Sequence, residues 1–160
     1  MNCYRRIVLV AGSLFFAVRG FASGTGIGLV LTYEAKQWTQ ITWLDFDGVP
    51  KIGARGGGMH ISDRSTAHEA LTWPSGIEAL PQEAHAIWRY KAMEGVDEAA
   101  QHVLHEREMP WREAEARVPL RSIMDPEVRA LIDGGAYRPR LRLTFDHDRL
   151  TVRWSAELKL

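Results

Sequence analysis

The chain is short of cysteine, short of lysine and without an excess of either charge, and each shortage removes a class of protein. Its single cysteine, Cys3, cannot close an internal disulfide, so this is not a small domain held by cross-links. Lys and Arg number 20 and are matched by 20 Asp and Glu. A chain without net charge has no whole-molecule field for gripping a phosphate backbone, so nucleic acid is not an expected partner. No apolar run reaches the roughly 18 residues that a spanning helix needs. Internal repeats and low-complexity tracts are also missing. What is there is 160 residues, 46% hydrophobic, a composition that fits one globular domain.

The first 22 residues differ from the rest. They carry Arg5, Arg6 and Arg19 and no acid, and Ile7 to Val18 (IVLVAGSLFFAV) is an apolar run. Gly20 and Ala22 then place small residues at the −3 and −1 positions of a cleavage site, the layout of a secretory signal peptide. Twelve residues make a helix of about 18 Å, well short of a ~30 Å hydrocarbon core, so export is preferred to an uncleaved N-terminal anchor. Cleavage after Ala22 leaves a mature chain, 23–160, with 17 basic and 20 acidic side chains and no cysteine. Freedom from thiols suits an oxidising compartment. Cys3 precedes the apolar run and offers no lipid attachment point at the cleavage site. The expectation is a signal peptide over 1–22 and a single β-rich domain over 23–160, periplasmic or secreted.

Along that domain the dominant period is 2, which predicts half-buried antiparallel strands. Ile27, Leu29, Leu31 and Tyr33 alternate. Trp38, Gln40, Thr42, Leu44 and Phe46 fall on one side of the next strand, with Ile41 and Trp43 on the other, before a turn at Asp47-Gly48. A third strand runs from Ala84 to Tyr90. Arg140 to Phe145 and Leu150 to Ala156 form a hairpin with Leu141, Leu143, Phe145, Leu150, Val152, Trp154 and Ala156 on one face. A short helix starts at Asp125 as N-cap with Pro126 in the first position, carries Val128, Leu131 and Ile132 as its stripe, and stops at Gly134-Gly135. Residues 97–109 fit a second helix or a strand leading to Pro110. The fold class expected is mainly β, an antiparallel sandwich-like domain with one or two short helices.

Motifs for catalysis or cofactors are weak. Gly24-Thr25-Gly26-Ile27-Gly28 precedes a strand instead of following one, and Gly56-Gly57-Gly58 lacks the Lys-Ser/Thr of a phosphate loop. Ser75 stands in Trp73-Pro74-Ser75-Gly76, a turn and not a nucleophile elbow. His60, Asp63, His68 and Glu69, and separately His102, His105 and Glu106, lack the spacing of known zinc motifs. Asp45 and Asp47, two apart on one strand, share a face and are the acid-base candidates of an enzyme reading. No catalytic residue, metal or cofactor is assigned.

The surface is more informative. Arg outnumbers Lys 16 to 4, and Arg140, Arg142 and Arg153 take the hairpin face opposite its apolar residues. Guanidinium groups suit planar recognition of carboxylates, with Glu157 and Asp148 as the internal counter-ions of a purely solvated face. Six tryptophans are many for this length. Trp43, Trp88 and Trp154 fall in strands and are expected in the core. Trp73 and Trp111 stand beside prolines in expected loops, where an exposed ring would anchor a partner.

The order of Ile41-Thr42-Trp43-Leu44-Asp45-Phe46, Asp47-Gly48, Gly56-Gly57-Gly58, Leu80-Pro81, Ile87-Trp88-Arg89-Tyr90, Ala116-Arg117-Val118-Pro119-Leu120 and a closing hairpin resembles a group of small exported bacterial proteins of unknown function. Many of these are lipoproteins, and some are encoded beside type VI secretion effectors and suspected to be immunity proteins. The lipobox cysteine and the cysteine pair that some of them carry are missing here. The resemblance implies no site residue. It implies an exported non-catalytic binding protein, in its specific form a periplasmic immunity protein neutralising a secreted toxin. The alternatives are a small periplasmic hydrolase using Asp45, Asp47 or the histidines, and a structural envelope protein whose partner is another envelope protein. Arg140, Arg142, Arg153, Trp73 and Trp111 are the candidate binding residues.

Overall fold

A computed structural model describes residues 27–61, 66–73, 77–92 and 108–159. The expected signal segment 1–22 lies outside them, as does nearly all of the ambiguous stretch 97–109. In chain order the elements are β1 (Ile27–Ala35), β2 (Thr39–Phe46), β3 (Val49–Ile52), β4 (Met59–Ile61), β5 (Thr66–Trp73), β6 (Glu83–Lys91), β7 (Trp111–Pro119), α1 (Pro126–Asp133), β8 (Tyr137–Asp146) and β9 (Arg149–Leu158). A one-turn 3₁₀ helix, Ile77–Ala79, stands before β6.

Local chemistry explains the boundaries. Asp47 (φ 52°) and Gly48 (φ 77°) both take the left-handed conformation that a two-residue hairpin turn requires, and Phe46 pairs with Val49 across it. Gly53 (φ 92°) passes so close to β2 that a Cβ there would lie 2.3 Å from the Thr42 carbonyl oxygen, so no larger residue fits. Asp125 caps α1 by accepting from the Glu127 amide, with Pro126 at the first position and Gly134 at the C-cap, as the sequence predicts.

The strands form two sheets packed face to face. Sheet A has the order β5-β1-β8-β9, and sheet B the order β3-β2-β6-β7, with β4 sharing the outer edge of β2. The β-rich sandwich is therefore as expected, with one departure: β1 pairs with β8 in parallel. Between the sheets lie Leu29, Leu31 and Tyr33 of β1, Leu141, Leu143 and Phe145 of β8, Ile41, Leu44 and Phe46 of β2, and Ala84, Ala86 and Trp88 of β6, all essentially inaccessible. The Trp88 ring meets Phe145 edge-on across the sandwich at 5.3 Å. Its Nε1 donates to the His147 carbonyl at 2.7 Å, and Trp154 Nε1 donates to Leu120 at 2.8 Å, so neither buried indole leaves a donor unpaired.

Several expectations need correction. Ile41 and Leu44 both face the core, because Thr42 is an extra residue: Ile41 pairs with Trp88 but Trp43 pairs with Ile87. This bulge switches the inward face in mid-strand and turns Trp43 outward, away from the core expected for it. Asp47 lies in the turn and not on β2. Trp73 and Trp111 end and begin strands, β5 and β7, instead of standing in loops. Both strands, together with β3 and β4, lie at sheet edges and are weakly announced, since the inward positions of β5 and β7 include small residues, Ala67, Ala114 and Ala116, and β3 and β4 are short.

Candidate functional site

The outer face of sheet A is built from the residues that alternate with the core. Register aligns His68, Thr32, Arg142 and Arg153 in one row across all four strands. Ala70, Val30, Arg140 and Ser155 form the next, and Gly28 and, beyond it, Arg138 and Glu157 follow. Val30 and Thr32 are buried although they point away from the core. Long side chains from the flanking strands therefore lie over the centre of the sheet, arginine stems shielding β1 while their heads reach solvent.

The three predicted arginines are brought together here, but they are not equivalent. Arg140 Nη2 donates to Glu157 Oε1 at 2.9 Å, and Arg138 Nε donates to Glu157 Oε2 at 3.2 Å. The hydrogen bond from Arg138, opposed by partial desolvation and reinforced by the charge of Arg140, holds the Glu157 carboxyl below the usual carboxylate range. Glu157 is thus the internal counter-ion anticipated from the sequence, whereas Asp148 makes no ion pair among the described residues. Arg142 and Arg153 stand directly opposite one another, both exposed, and neither has a carboxylate in ion-pair contact among the described residues. Arg142 does act at longer range. Glu34, bonded to Lys36 and only slightly desolvated, is held below its ordinary value by Lys36 first and Arg142 second.

Beside this face, α1 and the outer edge of β9 bound two adjoining concavities of about 250 and 370 Å³. Val128, Leu131, Arg153 and Trp154 line both; Arg142, Ser155 and Ala156 complete one, and Ile123, Asp125, Glu127 and Val152 the other. Ile123 and Leu131 are large apolar side chains left more than two-fifths exposed.

The outer face of sheet B carries a different constellation. Asp45 Oδ2 accepts from Trp43 Nε1 at 2.7 Å and lies 3.0 Å from His85 Nδ1, while Asp45 Oδ1 accepts from the Gly48 amide at 2.9 Å. His85 Nε2 lies 2.9 Å from Glu115 Oε1. Burial pushes the Asp45 carboxyl up, but the hydrogen bonds from Trp43, Gly48 and His85 outweigh it and hold the group below its ordinary value. Asp47 accepts from the backbone amides of Gln82 and Glu83. The two aspartates therefore do not converge on a reacting atom. Each is consumed in joining strands, and His85 has a carboxylate at both nitrogens where a nucleophilic triad would place a hydroxyl or thiol.

Other candidates fare as follows. Trp111 is 40% exposed and lies under Lys91 Nζ, 4.5 Å from its ring centre, in sheet B and apart from the arginines. Trp73 closes β5 opposite Ile27. His68 is engaged by Thr32, and Glu69 by the Tyr33 hydroxyl. Asp63, Ser75, His102, His105 and Glu106 lie outside the described residues. No group of three metal-ligating side chains occurs among the described residues, and no helix there is long and apolar enough to cross a membrane. Gly57 and Gly58 border an open concavity of about 550 Å³ with Lys51 and Arg55 on its lining and no acid or histidine there. Arg138 was missed because the strand was started at Arg140; one more step of the same period reaches it. Nothing in the sequence joins Asp45 to His85 or α1 to β9.

No family model matches the chain, and no curated protein does. A solved structure described as "Trapped Toxin" is similar at 13% identity and a TM-score of 0.30. The alignment covers 82% of this chain and 23% of that one, so the chain spans under a quarter of its length, and likeness at that level carries no functional argument.

Proposed function

We propose that this chain is an exported, non-catalytic binding domain that docks an acidic surface of another protein on the outer face of sheet A. The observation that carries the reading is the cross-strand pair Arg142 and Arg153, like charges set directly opposite each other with no carboxylate in ion-pair contact among the described residues. Such a pair costs the isolated fold a little stability. A partner carboxylate turns that cost into two charge-assisted hydrogen bonds, and the planar guanidinium fork favours bidentate recognition. Arg138 and Arg140, tied to Glu157, extend the positive field and would steer an acidic partner toward the pair.

Neutralisation of a secreted toxin is the specific form of this reading. Its support is the sequence resemblance to small exported proteins together with the signal-like segment 1–22. The hydrolase alternative is less well served, since Asp45, Asp47 and His85 are already consumed by internal partners. Crosslinking capture in periplasmic extract, with the wild-type chain and an R142E/R153E variant, tests the proposal. A protein with an acidic surface should be recovered by the wild type and lost with the variant. Recovery of the same proteins by both, or of none, counts against it. Protection of cells from a toxin encoded beside the gene would establish the specific form.

A further inference from the structure

We infer that the concavity beside the glycine-rich loop 53–58 binds a small organic anion, a carboxylate carried on an apolar group, with Arg55 and Lys51 holding the carboxylate. The site lies on the β3 and β4 edge of sheet B. It shares no residue with the arginine face of sheet A and does not rest on the docking reading.

Strand register builds the loop. Ile52 of β3 pairs with Leu44, and Met59 of β4 pairs with Ile41 on the same edge of β2. Residues 53–58 therefore stand against only Thr42 and Trp43 of β2, and the chain must swing out of the ladder between β3 and β4. Both ends of that excursion are seated on β2. A Cβ on Gly53 would lie 2.3 Å from the Thr42 carbonyl oxygen, and one on Gly58 would lie 2.8 Å from that of Ile41. At these two positions glycine serves close approach to a neighbouring backbone, which fixes the base of the loop. The Gly56 amide then closes the turn by donating to the Gly53 carbonyl at 3.0 Å. The resulting concavity of about 550 Å³ falls within the size range of small-molecule sites.

The lining specifies the ligand. Pro50, Ile52, Ala54 and Met59 give it an apolar wall, and Lys51 and Arg55 give it positive charge with no acid beside them on the lining. A second bulge puts Lys51 there. Leu44 pairs with Ile52 but Asp45 pairs with Pro50, so Lys51 is the extra residue of that ladder, and bulges re-aim side chains next to active sites. Arg55 stands in the middle of the loop, exposed, with no carboxylate in ion-pair contact among the described residues. The acids nearest in sequence are already engaged, Asp45 by Trp43, Gly48 and His85, and Asp47 by the amides of Gln82 and Glu83. A guanidinium takes a carboxylate through two parallel hydrogen bonds, and an ammonium adds a point charge. The apolar body of the ligand then covers the wall and removes it from water. A bare anion uses the charges and leaves the wall wet, and a neutral apolar molecule does the reverse, so each is the weaker ligand.

Amide chemical-shift titration of the isotope-labelled full chain tests the site, with hexanoate, hexanamide and acetate as probes. Hexanoate should move the resonances of Gly53, Gly57 and Gly58 saturably, and the other two should bind about tenfold more weakly. Lys51→Ala and Arg55→Ala should each weaken hexanoate about fivefold, whereas Arg142→Ala with Arg153→Ala should leave it unchanged. Lys51 and Arg55 are exposed, and matching urea midpoints establish that their variants fold. A tripeptide Ala-Ala-Leu with a free carboxylate, set against its C-terminal amide, separates the two sources of such an anion. Tighter binding of the free tripeptide than of hexanoate marks the end of a peptide chain as the ligand, and weaker binding marks a free acid; both accord with the inference. Hexanamide binding as well as hexanoate would reduce the site to apolar contact, and acetate binding as well would reduce it to charge. Either result overturns the inference, as does the absence of saturable shifts at the three glycines or an unchanged affinity in the Lys51 and Arg55 variants. Crosslinking capture judges the sheet A face independently of all of these.

Discussion

The two outer faces of this sandwich carry the same kinds of charged residue and use them in opposite ways. On sheet B, Asp45, His85 and Glu115 form one chain of contacts across β2, β6 and β7, Arg117 reaches Glu83 at 3.1 Å, and Arg89 approaches Glu113 at 3.7 Å. Every one of those charges has an internal partner. On sheet A, Arg138 and Arg140 share Glu157 as their ion-paired acid, whereas Arg142 and Arg153 stand face to face with no carboxylate in ion-pair contact among the described residues. The difference teaches that charge on a sheet face is not by itself a sign of function. A paired network consumes its own hydrogen-bonding capacity in holding strands together, whereas an unpaired like-charge row keeps that capacity for something outside the fold.

The sharpest way to break this contrast is to remove a group from the paired face. Asp45→Ala strands the indole N–H of Trp43, the Gly48 amide and one nitrogen of His85, and should cost about 3 kcal/mol in urea unfolding. A loss below about 1 kcal/mol would mean that the sheet-B network is ornamental.

Acid gives the next largest effect. Because the Asp45 carboxyl is held below its ordinary 3.8, its contribution is complete above that value and is lost as pH falls through the lowered folded value. Urea midpoints should therefore drop as pH goes from about 5 to about 3, and Asp45→Asn should make that dependence shallower. An unchanged slope in the variant would remove Asp45 from the account.

His85→Leu takes away one partner from each of Asp45 and Glu115 but leaves Asp45 its bonds to Trp43 and Gly48. A cost of about 1 kcal/mol, smaller than that of the aspartate variant, is expected by the same measurement.

The smallest stability effect belongs to the other face. Arg142→Ala with Arg153→Ala should leave unfolding within about 0.5 kcal/mol of wild type, or slightly stabilise, while abolishing partner capture. Destabilisation beyond about 1 kcal/mol would show that these arginines also serve the fold and would erase the contrast.

Much of the framework is legible from residue order because it depends on local signals. Period-2 alternation marks β1, β6, β8 and β9, Asp47-Gly48 marks a tight hairpin, and Asp125-Pro126 marks the start of α1. The same alternation placed Arg140, Arg142 and Arg153 on one face. Reading failed where a single residue changed the phase. Thr42 is one residue too many for a regular ladder, so the inward side passes from Ile41 to Leu44 and Trp43 emerges outside. It failed also at β5 and β7, the edge strands TAHEALTW and WREAEARVP, whose core-facing positions are filled in part by alanine, a weak apolar signal.

By itself, then, the residue sequence determined a β-rich domain, its main hairpin, its one capped helix among the described elements, and an arginine-bearing face. These follow from rules acting between neighbours a few positions apart. Only the tertiary structure decided which of those arginines are free. Glu157 reaches Arg138 and Arg140 because strand register sets β9 beside β8, and Arg142 meets Arg153 for the same reason. Likewise Asp45 and His85, 40 residues apart, become partners only when β2 and β6 pair, which turns two acid-base candidates into a strand clamp. Pairing between distant residues is settled by register and packing, and those are properties of the folded chain and not of any stretch of it.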